Sequence, residues 1–202
     1  MSQIALPLRD GLVSDPARII IGNANSRAHE ALSEPSAWPY GTAILAGPPR
    51  SGKSLLGRWA GERGITVLDD ADAIDETELF HLWNAAQEKG EKLLLIVNVQ
   101  PWEIALPDLR SRLGAALQLE IGEPDDAMIA GLIDTMAQQY KFALADGAIE
   151  YLAPRAERSF AGIEKLVGAI DRLSLERKAP ATMSIWRAAL EQVLGPDQQR
   201  LL

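Results

Sequence analysis

The chain has 202 residues, of which 47% are hydrophobic and 24% charged, so it can bury one good core or a larger lobe beside a small second one. A net charge of −8 argues against binding along nucleic-acid backbones, and the absence of cysteine excludes disulfides and thiolate chemistry. No run reaches the roughly 20 apolar residues of a membrane span, and the N-terminus lacks the apolar segment of a signal peptide. We therefore expect a cytoplasmic protein without a membrane partner.

Residues 1–17 mix Pro, Gly, Asp and Ser without periodicity, which predicts an extended arm. Within this arm, the stretch QIALPL (3–8) has no neighbouring segment to pack against, which indicates a peptide that docks on another molecule. Leu6 and Leu8 offer apolar surface, and Pro7 disfavours helix and lowers the entropy lost on binding. An ordinary tail, or a strand tucked against the body of the protein, is the alternative.

Strand-like apolar runs alternate with helical spacing in the first two thirds of the chain, at residues 42–46, 65–70, 92–99 and 116–121. The segment 75–90 has the pattern of a helix that is capped by Asp75 and ended by Gly90. The run 92–99 is nearly continuously apolar, as in strands that a parallel sheet buries on both faces. The alternation predicts an α/β fold with a parallel sheet.

The strand signals stop after Pro124, and the remaining segments have helical spacing, at residues 125–140, 146–155, 159–178 and 182–194. We place the boundary between two lobes near residues 141–146. The sequence thus predicts an α/β lobe over 18–141 and a small helical lobe over 142–202.

The strongest chemical signal is GPPRSGKS, which fits the phosphate-loop pattern GxxxxGK[ST] between an apolar strand and a helix. In such a loop the backbone N–H groups cradle phosphates, Lys53 reaches the terminal phosphates, and the Ser54 hydroxyl can hold Mg²⁺. The residues expected to contact a nucleotide here are Gly47, Pro48, Arg50, Ser51, Gly52, Lys53, Ser54 and Leu55.

Two acids end the second strand-like run. Asp69 matches the carboxylate that would share Mg²⁺ with Ser54, and Asp70 is a candidate to orient a water molecule. On their own, two acids before a turn are more often a solvated loop or a cap. The phosphate loop upstream reverses that preference.

The order of these elements resembles the AAA+ ATPases, and several segments are similar to the DnaA family of replication initiators, especially its shortened Hda type in alphaproteobacteria. These segments are IIIGNAN (19–25), LFHLWNAAQEKGEKLLLIV (79–97), LPDLRSRLGAALQLEIGEPDD (106–126) and YLAPRAERSFAGIEKLVGAIDRL (151–173). The resemblance implies an AAA+ P-loop sheet followed by a helical lid lobe, with ADP or ATP and Mg²⁺ as cofactors.

The resemblance also implies roles for single residues. Asn25 lies in the segment similar to the adenine-contacting box, and Asn98 matches the first polar sensor, although an Asn that caps a turn is equally open. Arg112 is similar to the arginine finger that enters a neighbouring subunit's nucleotide site. The peptide at the N-terminus resembles the clamp-binding peptide of Hda proteins, with Gln3, Ile4, Leu6, Pro7 and Leu8 as its contacts.

Three departures from the family pattern stand out. Arg50 replaces the usual glycine of the phosphate loop, which puts hydrolysis in doubt. Gly162 stands where we expect the second sensor arginine, leaving Arg155 or Arg158 as substitutes. The helix after Lys53 runs almost directly into the next strand, so we expect four strands, without the edge strand of the usual 5-1-4-3-2 order.

Three functional hypotheses follow. A clamp-tethered regulator would use Arg112 in trans to promote hydrolysis of ATP on the DnaA initiator. A self-contained ATPase or loader would hydrolyse ATP with Lys53, Ser54, Asp69 and Asp70, and a scaffold would keep ADP to hold its lobes together. The expected partners are the polymerase sliding clamp and DnaA, and formation of a homo-oligomer is an open alternative. The acidic chain is expected to lack the initiator's DNA-binding domain. It is also expected to make no direct sequence-specific contact with nucleic acid.

Overall fold

The computed structural model describes residues 19–195. Its strands are β1 (Thr42–Ala46), β2 (Thr66–Leu68), β3 (Leu93–Ile96) and β4 (Leu117–Glu120). Its helices are α1 (Ser26–Ser33), α2 (Lys53–Gly61), α3 (Glu76–Lys89), α4 (Pro107–Gly114), α5 (Asp126–Gln139), α6 (Ala148–Leu152), α7 (Phe160–Arg177) and α8 (Met183–Leu194). The predicted arm and its docking peptide lie outside the described residues, so both stay predictions.

The sheet of the described residues has four strands, all parallel, in the order β2-β3-β1-β4. This arrangement confirms the predicted four-stranded parallel sheet, and it is the order that remains when the edge strand is removed from 5-1-4-3-2. The link from α2 to β2 is too short for another strand, because the N–H of Ile65 already bonds to the carbonyl of Ala60 in α2. β3 takes the place beside β1, and β2 becomes an edge.

The sheet is covered on both faces, as the continuous apolar strands require. Successive side chains of a strand point to opposite faces, so Ile44 packs with α3 and α4 whereas Leu45 packs with α1 and α2. All five residues of β1 are buried. Burying each large aliphatic side chain contributes about 1.5 to 3 kcal/mol, so the two layers fix the position of the loop that follows β1.

The predicted start and end of α3 are confirmed. Oδ1 of Asp75 accepts hydrogen bonds from the backbone N–H groups of Thr77 at 3.0 Å and Glu78 at 3.2 Å. Gly90 ends the helix in the left-handed region at φ 67°, which a glycine adopts without steric cost. Local sequence therefore determines both boundaries.

The helices beyond Pro124 form a separate apolar core that includes Trp186, Ile129 and Ile133. Met128 of α5 packs instead in the cluster on the α1 and α2 side of the sheet. Helix α5 thus joins the two cores, and the lobe boundary near 141–146 stays a prediction. Within residues 19–195, no helix is long and apolar enough to span a membrane.

Candidate nucleotide-binding site

A cavity of about 540 Å³ opens between the phosphate loop, α5 and α7. It lies at the carboxyl edge of the sheet, beside β1, where the neighbouring connections run to opposite sides. One part of its lining is apolar, with Ile19, Ile20, Met128, Leu132 and Met136, and another is polar, with Arg50, Ser51, Lys53 and Ser54. The volume and the mixed lining suit a small ligand with an apolar ring and a charged group.

The phosphate loop has the backbone that its glycines predict. Gly52 adopts φ 89°, a conformation that side chains rarely tolerate, and the first residue of α2 follows it directly. The N-terminus of α2 therefore presents free N–H groups and the positive end of the helix dipole at the cavity. The hydroxyl of Ser51 is buried without a hydrogen-bond partner in the described residues, so a bound phosphate oxygen would satisfy it.

Lys53 is the buried cation of this site, with 6% of its surface exposed. Its Nζ donates to the backbone carbonyls of Gly47 at 2.9 Å and Pro48 at 3.2 Å. Burial lowers the pKa of Lys53 below its ordinary value, whereas the nearby carboxylates of Asp69, Asp72 and Asp70 act to raise that pKa. An anionic ligand would add charge that stabilises the protonated amine.

The polar residues after β2 and β3 meet because these strands are adjacent in the sheet. The side-chain amide of Asn98 donates to Oδ1 of Asp70 at 2.6 Å. The carboxylate of Asp72 accepts from the backbone N–H groups of Asn98 and Val99, both at 2.9 Å, and its other oxygen is buried without a partner in the described residues. Sequence analysis missed Asp72, although the DDAD run contains it.

Most of the predicted nucleotide contacts share the cavity. Those that line it are Asn25, Arg50, Ser51, Gly52, Lys53, Ser54 and Leu55, joined by the predicted sensor Asn98. Those outside its lining are Gly47, Pro48, Asp69, Asp70, Arg112 and Arg158. Among the described residues no group of three or more acidic or histidine side chains is arranged to hold a metal ion, and the Mg²⁺ role of Ser54 and Asp69 stays a prediction.

Asn25 lines the cavity, but its side-chain amide is used within its own turn. Its Oδ1 accepts from the N–H of Gly22, and its Nδ2 donates to the carbonyl of Ile20, both at 2.9 Å. Asn25 as a whole is 4% exposed. Asn25 therefore holds the segment that places Ile19 and Ile20 against the cavity.

Arg112 lies in the last turn of α4, away from the cavity and half-buried against α3. Its guanidinium carbon is 4.7 Å from the ring centre of Phe80 and 4.6 Å from that of Trp83. Its Nη1 donates to Oδ1 of Asn84 at 2.6 Å. The predicted finger is thus engaged with its own chain by stacking and a hydrogen bond.

The position expected for the second sensor lacks room for a side chain. A Cβ at Gly162 would lie 2.6 Å from Cβ of Glu157. The two proposed substitutes bond elsewhere, because Arg158 pairs with Asp126 at 2.5 Å and Arg155 donates to the carbonyl of Tyr151.

Helix α7 instead sends a carboxylate to the cavity. Phe160 and Glu164 both line it, and a spacing of four residues places them on one face of a helix. Ser159 caps this helix by accepting from the N–H of Gly162 at 3.0 Å. The predicted helix and its spacing could have singled out Glu164, which sequence analysis missed.

Comparison with known proteins agrees with this architecture. The fold matches domain III of the Thermotoga maritima initiator DnaA with a TM-score of 0.76 at 15% identity, covering 95% of this chain and all of that one. It also matches AMPPCP-bound DnaA from Aquifex aeolicus (TM-score 0.62, 20% identity, 83% of this chain and 69% of that one) and RuvB from T. maritima (0.62, 18%, 89% and 72%). These matches confirm the predicted fold class.

In sequence, the chain is similar to DnaA of two Chloroflexus aurantiacus strains, at 26% identity over 141 residues. The match covers 67% of this chain and 29% of each DnaA, so it spans less than a third of the curated relatives. No protein-family model matches the chain.

Proposed function

We propose that this chain binds an adenine nucleotide and acts as a regulator of replication initiation of the Hda type. The observation that carries the proposal is that a phosphate loop, a buried lysine and an apolar wall line the same cavity. A nucleotide needs these features together, because its phosphates require cations and N–H donors while its base gains from leaving water. The AMPPCP found in a similarly folded DnaA supports the same ligand class.

In this proposal the loop N–H groups, the Ser51 hydroxyl and Lys53 hold the phosphates. Ile20, Met128 and Leu132, which line the apolar part of the cavity, would contact the base. Mg²⁺, when bound beside the phosphates through Ser54 and Asp69, would neutralise charge on the phosphate oxygens. Asn25 contributes indirectly, by holding the turn that positions Ile20.

The regulatory part of the proposal rests on the similarity to DnaA and on Arg112. In this proposal the module pairs with the initiator's own module, and Arg112 at that junction would stabilise charge on the partner's ATP. In this chain the guanidinium must leave Asn84, or turn about it, to reach a partner. The N-terminal peptide would tether the protein to the sliding clamp.

A second candidate function is autonomous ATP hydrolysis, and one contact favours it. Asn98 bonds to Asp70, and Asn98 also lines the cavity, so an acid and a polar residue are joined at the edge where a water would attack. This candidate predicts turnover by the purified chain, whereas the regulator predicts turnover on the initiator.

The deciding experiment follows the decay of ATP bound to DnaA in a single turnover, with this protein, DNA-loaded clamp, both or neither. The regulator predicts fast decay only when both are present. A matched variant with Leu6 and Leu8 replaced by alanine should no longer bind the clamp. It should therefore give slow ATP decay even when DNA-loaded clamp is present, while its melting temperature stays that of the wild type. Equal decay in all four mixtures would contradict the regulatory role, and steady turnover by the protein alone would support the second candidate.

A further inference from the structure

An ion pair joins the phosphate loop to the helical lobe across the candidate nucleotide cavity. Nε and Nη2 of Arg50 each donate to one carboxylate oxygen of Glu164, a two-point contact that matches the planar guanidinium. The partners are 114 residues apart in the chain, and both line the cavity. The contact therefore places the Glu164 carboxylate at the phosphate-loop part of the cavity.

Arg50 forms this ion pair from an unusual backbone conformation in the phosphate loop. Arg50 adopts φ 65°, in the left-handed region that glycine favours and that an arginine adopts at some cost. The side chain nevertheless reaches α7, where Glu164 is 22% exposed and Arg50 remains 54% exposed. Since one partner is well exposed to water, the pair can exchange for a competing anion.

The charges that line the cavity make Glu164 unusual. Three cations line it, Arg50, Lys53 and Arg58, and Glu164 is the one carboxylate in that lining of described residues. A phosphate chain would ordinarily draw on every cation near it. Here one of the two loop cations is already neutralised, and a negative charge stands beside it.

We propose that Glu164 determines nucleotide specificity, by withholding Arg50 from the phosphates and so favouring a nucleoside diphosphate over a triphosphate. This inference rests on the proposed nucleotide-binding function. A terminal phosphate adds about one negative charge, which needs a further cation and is repelled by a nearby carboxylate. A diphosphate is served by Lys53 and the loop N–H groups and needs Arg50 less.

The test measures dissociation constants of the 202-residue chain for ADP and for the non-hydrolysable triphosphate AMPPCP, with Mg²⁺, by calorimetry. Glu164→Gln removes the charge and keeps the size of the side chain. We expect AMPPCP to bind at least fivefold more tightly to this variant, while ADP changes by less than twofold. Glu176→Gln, an equal charge change on an exposed part of α7, is the matched control and should alter neither constant.

A second pair of variants tests the part played by Arg50. Arg50→Ala alone leaves the Glu164 carboxylate unpaired and should weaken AMPPCP binding at least twofold while ADP binding changes less, and Arg50→Ala combined with Glu164→Gln should remove most of the gain for AMPPCP that Glu164→Gln shows alone. An unchanged ratio of the two constants in Glu164→Gln would overturn the specificity role, and an undiminished gain in the double variant would overturn the role of Arg50. Failure of the folded wild-type chain to bind either nucleotide would instead overturn the proposed function, and this inference with it.

Discussion

Lys53 and Arg112 are both largely withdrawn from water, yet they are held in different ways. The Lys53 amine touches two backbone carbonyls at the rim of a cavity, and three carboxylates act on its pKa. The Arg112 guanidinium lies against two aromatic rings and an amide on the other face of the sheet. Carbonyl contacts exchange readily for a phosphate, whereas a stacked cation also supports the packing of α4 on α3. The comparison separates a cation that could exchange its contacts for those of a ligand from one whose contacts also support its own fold.

The largest expected effect is the stabilisation of the protein by ADP. A ligand that binds only the folded state at a hundred times its dissociation constant adds about 2.7 kcal/mol to the free energy of unfolding. We expect this gain in wild type and in Arg112→Ala alike, measured by chemical denaturation with and without ADP. If Arg112→Ala were not stabilised by ADP, the two cations would be coupled, which would contradict the separate roles described above for Lys53 and Arg112.

Next in size is the loss of nucleotide affinity in Lys53→Ala. Removing the charged donor should weaken ADP binding at least tenfold, or about 1.4 kcal/mol, because a charge-assisted contact to phosphate is lost. Calorimetry measures this directly. Lys89→Ala removes an exposed lysine at the end of α3 and should bind ADP as wild type does; equal affinity in both variants would remove Lys53 from the site.

Arg112→Ala should slow the hydrolysis of ATP on DnaA by about tenfold, a modest value for an arginine finger. Arg112→Lys should stay impaired, because a point charge lacks the planar fork that contacts two phosphate oxygens and stacks on rings. Single-turnover decay with clamp and DNA held constant measures both variants. Wild-type decay in Arg112→Ala would leave the residue with a structural role only.

The smallest expected effect is on stability. Arg112→Ala should lower the free energy of unfolding by about 1 kcal/mol, since it removes contacts with two rings and a hydrogen bond. Arg110→Ala, on the exposed side of the same helix, is the control and should cost less than about 0.5 kcal/mol. Urea denaturation compares the two variants, and identical midpoints would show that the stacking contributes nothing to the fold.

Much of the fold was predictable because its signals are local. The strand Thr42–Ala46 coincides with the predicted apolar run, and helix α3 has the predicted cap and stop at Asp75 and Gly90. The four-stranded sheet followed from the short link after α2. The lobe boundary stays a prediction, because α5 contributes side chains to both cores and its own periodicity does not show which core each side chain enters.

The sequence alone determined where the groups of the proposed phosphate site lie, because glycine conformation, helix start and lysine position are fixed within eight neighbouring residues. Only the tertiary structure decided which distant side chains would complete the cavity. In the folded chain the Asn25 amide bonds within its own turn, and Arg112 stacks on α3. Glu157 fills the space at Gly162, and Glu164 pairs with Arg50. Such contacts depend on how helices pack across the sheet and between lobes, and that packing is the sum of many weak apolar contacts that no short motif encodes.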